Sequence, residues 1–420
     1  MVSNVVSTTA TGAAFRPTAT TAHLSDADVE RLGEELDAIR AEVMGDLGQA
    51  DARYIRRVIA VQRGLEAGGR GLLLASLFPP AWVAGTGALA VAKILENMEI
   101  GHNVLHGQWD WMGDPEIHST TWEWDSASCA EGWKYSHNYV HHTYTNVLGK
   151  DRDLGYAAMR VDPAQPWKPI YLLQPLYNIG LAVGFEYGIA IYDIELEKVA
   201  AGRKPWSQAK VELGRLWRKI RGQLVKDYVA FPLLSGLAAP TTLLGNLVAN
   251  VTRNVWAHAV IFCGHFPAGA ETFTEDQLVG ETRGRWYVRQ LLGSANLDGS
   301  PLMHIMTGNL SHQIEHHLFP DMPSNRYAQV APKVRELCAR YGLPYTSGPL
   351  HKQYAGVLAT IARLALPGGE PTSNDEPAVH TVDGPATVCG EPAAAPEQTG
   401  RRSPRSPTGI GSRRTDQRPR

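Results

Sequence analysis

The sequence has few cysteines, and their placement excludes several kinds of redox centre. Four occur in 420 residues, at Cys129, Cys263, Cys338 and Cys389, and no two of them form a Cys-x-x-Cys pair. This scatter predicts neither a disulfide framework nor an iron–sulfur cluster, and it suits a reducing compartment. The chain also lacks a glycine-rich dinucleotide fingerprint and a His-Pro-Gly-Gly haem motif. Any redox reaction of this chain would therefore need electrons from outside it.

Net charge is also small, and the two ends of the chain lack hydrophobic periodicity. The formal net charge is −2, which gives no reason to expect nucleic acid as a partner. Residues 1–22 are rich in Thr, Ala and Ser, while residues 365–420 are rich in Pro, Gly and Arg. We expect both ends to be disordered tails. They flank a single domain over residues 23–364.

Histidine, by contrast, is concentrated in three short clusters. The clusters read His102-Asn-Val-Leu-His106, His137-Asn-Tyr-Val-His141-His142 and His312-Gln-Ile-Glu-His316-His317. Each contains a pair spaced i, i+4, and two such imidazoles share one face of a helix, one turn apart. That spacing allows a helix to offer two ligands to one metal ion. One pair arises easily by chance, but three pairs together indicate a metal site.

The composition of the clusters narrows the choice of metal. They contain no cysteine, which disfavours iron–sulfur centres and thiolate zinc sites. Structural zinc takes four ligands, so the clusters hold too many imidazoles for one ion. Imidazole also suits iron, copper and nickel, so the ligand type alone does not choose among them. The number of ligands favours two metal ions, and iron is the metal that would carry out oxygen chemistry.

The order of the clusters resembles that of a known enzyme family. HxxxH, then HxxxHH, then HxxxHH followed by Leu318-Phe319-Pro320 is similar to the membrane-bound fatty-acyl desaturases, which use two irons and O2. The likeness covers roughly residues 51–350, and the stretches 101–111 and 309–327 most resemble actinobacterial acyl-CoA desaturases. It implies an all-α integral membrane protein with about four transmembrane helices and a cytoplasmic helical cap that carries the di-iron site. The implied reaction introduces a cis double bond into a long-chain fatty acyl group, carried by CoA or by a lipid.

The resemblance also implies ligands outside the three clusters. In related stearoyl-CoA desaturases an Asn and a His upstream of the third cluster complete the di-iron shell. Carried over to this sequence, they are Asn254, acting through water, and His258. The predicted metal ligands are thus His102, His106, His137, His141, His142, Asn254, His258, His312, His316 and His317. His118, His265 and His304 remain without a role.

The register of the third cluster leaves two alternatives. Many relatives read HxxHH or QxxHH, a register that would make Gln313 the first position. His312 instead gives the HxxxHH spacing of the second cluster, and imidazole binds first-row metals better than a neutral amide does. We therefore predict His312 as the ligand, with Gln313 as the alternative.

Apolar stretches suggest how the chain meets a membrane. Residues 71–95 are interrupted by Pro79-Pro80, so they form either one kinked span or a hairpin of two short limbs, and we predict the hairpin. Residues 170–192 and about 230–250 have lengths that suit crossing. Two full spans there would place the basic helix 206–228 on the outer face, against the positive-inside rule. A re-entrant 170–192 followed by a tight hairpin would keep that helix inside. We predict the two spans. Glu186 lies within 170–192, where a carboxylate indicates function unless it reaches water near a helix end.

The partners and alternative functions follow from these features. Because internal redox motifs are absent, we expect a separate electron donor, either an NAD(P)H-dependent reductase or a ferredoxin-like protein. The expected location is the cell membrane, with several crossings and with the active site and both termini on the cytoplasmic face. Alternatives are a hydroxylase or ketolase acting on an alkane, sphingolipid or carotenoid, and a metal-binding membrane protein without catalysis.

Overall fold

The computed structural model describes residues 18–267 and 269–368, and this part of the chain is built almost entirely from helices. The α-helices are α1 Asp26–Gly45, α2 Gln49–Leu74, α3 Pro79–Ile94, α4 Asn103–Leu105, α5 Ala130–Trp133, α6 His142–Tyr144, α7 Gln174–Val183, α8 Phe185–Tyr192, α9 Leu196–Ala200, α10 Trp206–Val225, α11 Phe231–Leu234, α12 Ala239–His265, α13 Arg283–Leu292, α14 Pro301–Met306, α15 Gln313–Leu318, α16 Tyr327–Arg340 and α17 Leu350–Leu364. Three π-helices are π1 Leu95–His102, π2 Lys134–His141 and π3 Lys226–Ala230. Single 3-10 turns cover Asp110–Met112, Leu154–Ala157, Pro169–Leu173, Gly236–Ala238, Glu275–Leu278, Leu310–His312 and Ser324–Arg326.

The only strands in the described residues are β1 Asn296–Asp298 and β2 Ser347–Pro349, which pair in parallel with Asn296 opposite Ser347. The predicted all-α class is therefore confirmed. Most of the predicted N-terminal tail over 1–22, and all but four residues of the predicted tail over 365–420, lie outside the described residues.

Helices α2 and α3 form the predicted hairpin around the paired prolines. Pro79 and Pro80 occupy the first turn of α3, where a missing N–H leaves no intrahelical bond unmade. Glycines let the two helices touch: a Cβ on Gly69 would lie 2.9 Å from the carbonyl oxygen of Gly85. Small residues at such a contact allow close backbone approach. The hairpin starts earlier than predicted, because α2 already begins at Gln49.

Residues 170–192 do not form the continuous helix that the sequence predicts. The segment contains α7 and α8, separated by Gly184 with φ −106° and ψ 28°. Helices of 10 and 8 residues are about 15 and 12 Å long, well short of the roughly 30 Å of a bilayer core. Among the described helices, none is long and apolar enough to qualify as a membrane span.

The basic helix α10 packs beside the segment that joins the first two histidine clusters. Its buried face, with Ala209 and Leu216, contacts Ala127 and the end of α8. Its cations pair with acids of that segment: Arg215 with Glu131 at 2.9 Å, Lys219 with Glu123, and Lys226 of the following π3 with Asp125. This packing agrees with the alternative arrangement, in which the basic helix and the histidine clusters share one side.

Helix α12 organises the interior and ends at the histidine clusters. It has 27 residues, so it is about 40 Å long. Near its start, a Cβ on Gly245 would lie 2.7 Å from the Leu73 side chain, so α12 fits closely against the α2–α3 hairpin. Its C-terminal half packs with α7, α8 and α17 around Phe262 and Val260. A second apolar core joins α1, α13, α15 and α16 around Tyr287 and Phe319 and covers the third cluster.

Candidate metal centre

The first two clusters lie on helices that change pitch at the histidines. His102 ends π1 and His106 follows the short α4, while His137 and His141 belong to π2 and His142 begins α6. A π-helical stretch rotates successive side chains by less than an α-helix does, and it often marks a functional site. The pitch change allows His141 and His142, which are adjacent in sequence, to point into the same interior.

Eight imidazoles meet in this interior. The ring nitrogens of His102, His106, His137 and His316 lie within 4.8 Å of one another, and those of His141, His265 and His317 form a second such group. His142 lies between the groups, with its ring centroid 4.7 Å from that of His106 and 4.4 Å from that of His317. We call these eight residues the histidine cluster. Two groups of donors joined by a central imidazole suit two metal ions.

His265 belongs to the histidine cluster although the sequence suggests no role for it. It is the last residue of α12, and its ring centroid lies 4.6 Å from that of His141 and 4.7 Å from that of His317. A Cβ on the preceding Gly264 would lie 2.9 Å from the Gln313 side chain, so the end of α12 lies directly on α15. His265 forms no i, i+4 pair with another histidine. The signals in the sequence are its i, i+7 spacing from His258 and its position at the end of a long apolar stretch.

Four of these eight imidazoles have their second nitrogen held by a fixed partner. His137 Nδ1 lies 3.1 Å from Asp153 and His141 Nδ1 lies 3.0 Å from Asp151. On α15, His316 Nδ1 lies 3.2 Å from the hydroxyl of Tyr327, and His317 Nδ1 lies 3.0 Å from Oε1 of Gln290. Such contacts fix the tautomer and orientation of a metal-binding imidazole. Nε2 of each ring is thereby left to face the interior.

The inward nitrogens are buried and have no hydrogen-bond partner among the described residues. This holds for Nε2 of five members, namely His106, His137, His141, His142 and His317. Nε2 of His102 and Nε2 of His316 face each other at 3.3 Å. A buried polar atom without a partner is destabilising. Metal ions at the centre would satisfy these nitrogens, so the residues fit a metal centre.

Burial keeps most of the imidazoles neutral. It lowers the pKa of His102, His106, His142, His265, His316 and His317 well below the usual range, and neighbouring imidazoles lower these pKa values further. Burial also lowers the pKa of His141, but Asp151 and Asp153 outweigh it and leave that pKa raised. A neutral imidazole keeps the lone pair that a metal ion requires.

The predicted ligand His312 lies outside the histidine cluster. It ends a 3-10 turn, and its φ of −101° and ψ of 55° are not helical, so α15 begins only at Gln313. His312 and His316 therefore do not lie on one face of a continuous α-helix. The His312 ring packs at a tilt against His304, with centroids 4.5 Å apart. The alternative residue, Gln313, lies at the cluster instead, with its Nε2 2.9 Å from Nε2 of His265.

The other two predicted ligands also lie elsewhere on α12. His258 precedes His265 by two helical turns, or about 10 Å. Its Nε2 donates to Oδ1 of Asn178 at 3.0 Å and its Nδ1 accepts from the hydroxyl of Tyr354 at 3.2 Å, so both nitrogens are used. Asn254 is a further turn away and uses its amide on Arg253 Nε and the carbonyl of Val183. The structure brings neither residue to the histidine cluster.

A partly open cavity lies beside the histidine cluster. His102, His137, His141 and His265 form part of its wall. Its apolar lining is made by Met98, Trp124, Trp133, Tyr156, Phe185, Ile189, Ile261 and Leu310. An apolar chain could therefore lie against the metal centre while water is excluded from it.

Comparison with known proteins supports this chemistry. The sequence matches the profile of the family described as Fatty acid desaturase over residues 79–349. The NADPH-dependent stearoyl-CoA 9-desaturase of Mycobacterium tuberculosis is 53% identical over 350 residues, which cover 82% of each chain. The sn-1 linoleoyl-lipid 6-desaturase of Synechocystis sp. is 29% identical over 76% of this chain and 90% of that protein. Fatty acid desaturase 3 of Homo sapiens is 25% identical over 69% of this chain and 64% of its own.

Proposed function

Because the chain belongs to the fatty acid desaturase family, an oxidoreductase family, we propose that it desaturates a long-chain acyl-CoA, with stearoyl-CoA as the substrate and position nine as the site. The observation that carries this proposal is the apolar cavity that ends at the histidine cluster. The choice of a CoA carrier, and of position nine, rests on the 53% identity with the mycobacterial enzyme of that name. The sn-1 linoleoyl-lipid 6-desaturase, which acts on a lipid-linked chain, is less similar at 29%.

The metal centre proposed here holds two iron ions. His102, His106, His137 and His316 would hold one ion, His141, His265 and His317 the other, and His142 lies beside both. When bound, the irons would supply the oxidising power for breaking unactivated C–H bonds, which acid–base side chains lack. The reaction removes two hydrogens from adjacent methylenes and reduces O2 to two molecules of water. The other two electrons and two protons come from the electron donor and solvent.

The chain's own residues orient the ligands and keep water away from the reacting carbons. Asp151 and Asp153 hold the rings of His141 and His137 in one orientation. Trp124, Trp133 and Phe185 surround the cavity with apolar surface, so an acyl chain gains by leaving water. The same walls fix which methylenes lie beside the cluster, and that alignment selects the position of the double bond.

Electrons reach this centre from a separate protein. Within the described residues, the structure places the only cluster of metal-donor side chains at the histidines, and the sequence has no nucleotide fingerprint. The printed name of the mycobacterial relative makes that enzyme NADPH-dependent. We propose the same reductant here, delivered through a reductase or a ferredoxin-like carrier.

The membrane face is proposed to be formed by two hairpin tips. At the α2–α3 turn, the exposed fraction is 61% for Leu77 and 64% for Phe78. Before α12, it is 72% for Leu234 and 90% for Leu237. The tips are joined, because Ser76 contacts the hydroxyls of Thr241 and Thr242. Clustered exposed apolar residues mark an interaction surface. The chain segments on both sides of each tip, four in all, would then enter the cell membrane. The histidine cluster, α10 and both termini would stay on the cytoplasmic face.

Product analysis tests this function. The chain is produced in a host strain that lacks desaturases, and its membranes receive stearoyl-CoA, NADPH, O2 and a reductase-containing extract. We expect an 18-carbon product with one cis double bond. Mass spectrometry of its adduct with dimethyl disulfide should place that bond at position nine. His316→Ala, which removes a ring nitrogen of the cluster, should give none. A hydroxylated product would instead indicate the hydroxylase alternative, and turnover without the extract would exclude the separate electron donor.

A further inference from the structure

Three carboxylates line the cavity beside the histidine cluster, and they differ in what balances their charge. Asp153 lies against Nδ1 of His137, and Glu186 is paired with Arg253. Asp193, which directly follows α8, has no ion pair within residues 18–267 and 269–368. Asp193 is therefore the carboxylate of the cavity wall that no cation contacts.

Two serine hydroxyls donate to Asp193 instead. Ser136 Oγ donates to Oδ1 at 2.7 Å, and Ser128 Oγ donates to Oδ2. Both serines are buried, but of the two it is Ser136 that lines the cavity. Ser136 also directly precedes His137 on π2. Ser136 thus connects the carboxylate to the histidine cluster, and Ser128 does not.

The surroundings of Asp193 suit a group that gains and loses protons near neutral pH. Burial raises the pKa of Asp193 to about 7, although the hydroxyls of Ser128 and Ser136 oppose the rise. A proton donor is most effective when its pKa lies near the operating pH. Asp193 is also partly exposed and the cavity is partly open, so the carboxyl can exchange protons with water.

We propose that Asp193 and Ser136 deliver to the histidine cluster the solvent protons that reduction of O2 consumes. The inference rests on the proposed function, because it takes this reduction as the reaction. Conversion of O2 into two molecules of water takes four electrons and four protons. Two of each come with the hydrogens of the acyl chain, two electrons come from NADPH through the donor protein, and two protons come from solvent. For each solvent proton, Ser136 releases its hydroxyl proton into the cavity and takes one from Asp193, which takes up another from water.

The other ionisable groups near Asp193 do not imitate its titration. They are Asp153, Arg152, Tyr156, Tyr192, Cys129 and Lys219. Burial raises the pKa of Cys129 and of both tyrosines, so these groups stay neutral near pH 7. Contacts with two imidazoles outweigh burial at Asp153 and lower its pKa, so it stays ionised. The two basic groups supply positive charge. A change of charge near pH 7 at this wall therefore reports Asp193.

The test exchanges the carboxyl of Asp193 for a group of the same shape that cannot donate a carboxyl proton. Asp193→Asn keeps both serine contacts, because the amide accepts from one hydroxyl and donates to the other. We expect kcat with stearoyl-CoA to fall by about a hundredfold and KM to stay unchanged, while Asp193→Glu keeps most of the rate. The matched control is Asp110→Asn, which changes a carboxylate that accepts two hydrogen bonds from Ser119 outside the lining of this cavity and should keep full activity.

The two serines give a second matched pair. Ser136→Ala removes the hydroxyl that reaches the cavity, and Ser128→Ala removes one that does not, so each leaves Asp193 with one hydrogen bond. Proton delivery predicts that kcat falls by about tenfold or more in Ser136→Ala and is retained in Ser128→Ala. A purely structural role of the serines predicts similar effects of the two changes.

The pH dependence supplies two further measurements. Delivery needs the protonated carboxyl, so the ratio of wild-type kcat to Asp193→Asn kcat should fall as pH rises through about 7, with one donor preparation used for both. Infrared titration of the metal-free proteins should show a carboxylic C=O band that disappears over the same range in the wild type and is missing in Asp193→Asn.

Two results would overturn the proposal: unchanged kcat in iron-loaded Asp193→Asn, or equal losses in Ser136→Ala and Ser128→Ala. If Asp193→Asn does not hold iron, the serine pair decides. Absence of product from stearoyl-CoA with the wild-type protein would contradict the proposed function instead.

Discussion

At the scale of single residues, the contacts of one ring nitrogen decide what the other can bind. His141 and His258 are both buried imidazoles near α12. His141 has Nδ1 on a carboxylate and Nε2 facing the interior, while His258 has both nitrogens in hydrogen bonds to side chains. The first arrangement leaves a lone pair for a metal ion, and the second leaves none. Burial alone does not separate the two cases.

A pair of histidine variants tests this distinction. His265→Ala removes a ring nitrogen from the group formed with His141 and His317, so we expect bound iron to fall by about half and activity to be lost. His312→Ala removes an imidazole that contacts the His304 ring outside the cluster, so iron and activity should be retained. Iron analysis of both purified variants decides the question. If His312→Ala loses iron and His265→Ala does not, the ligand predicted from the HxxxHH spacing would be the correct one.

The sequence could predict seven of the eight members of the histidine cluster, because each of them belongs to a short local pattern. The prediction of His312 assumes that one helix carries the whole third cluster, whereas α15 begins one residue later, at Gln313. Whether His312 binds metal stays a prediction. His265 forms no i, i+4 pair, and tertiary packing of Gly264 against Gln313 brings it to the site. Local periodicity cannot report contacts of that kind.

At the scale of helices, hydropathy predicts the α2–α3 hairpin well and the segment 170–192 poorly. Pro79 and Pro80 mark the turn of the hairpin directly in the sequence. The break between α7 and α8 lies at Gly184, and nothing in the apolar pattern distinguishes this glycine from Gly180, which is helical. The position of α10 depends on its ion pairs with residues 123–131, which are distant in sequence. Hydropathy contains no information about that pairing.

Cysteine labelling tests the position of α10. Single cysteines replace Ser207 on α10 and Glu116 near the first cluster, both exposed, in a chain whose four native cysteines are changed to serine. Because α10 packs beside the histidine-bearing segment, we expect both sites to be protected from a membrane-impermeant reagent in intact cells and labelled after lysis. Labelling of Ser207→Cys in intact cells, with Glu116→Cys still protected, would require the two full spans instead.

At the scale of the whole molecule, the histidine cluster ties together segments from most of the described chain. Its buried nitrogens without partners make the metal-free state less stable than the loaded one. Metal present at a free concentration 1,000-fold above its Kd contributes about 4 kcal/mol of stability. With an unfolding entropy of about 2.1 cal/mol/K per residue over the 350 described residues, that corresponds to a change in melting temperature of about 5–6 °C.

Removal of metal should therefore lower the melting temperature of the purified protein by about that amount, and ferrous iron should restore it. Thermal melting in detergent with and without a chelator measures the change. A variant with His102→Ala and His317→Ala, which damages both groups of ring nitrogens, is the control and should respond little to the chelator. Equal melting temperatures of the loaded and stripped wild-type protein would contradict a shared stabilising metal centre.

The contact between His102 and His316 spans 214 positions of the chain. At a synthesis rate of 5–20 residues per second, the later histidine leaves the ribosome about 10–40 s after the earlier one. For that interval the nascent chain presents two histidine clusters without their closing partners. Iron that arrives early meets an incomplete set of ligands, so complete loading must await the emergence of α15. A ribosome stalled between the codons for His142 and His316 would hold a chain that lacks the ring nitrogens contributed by α15.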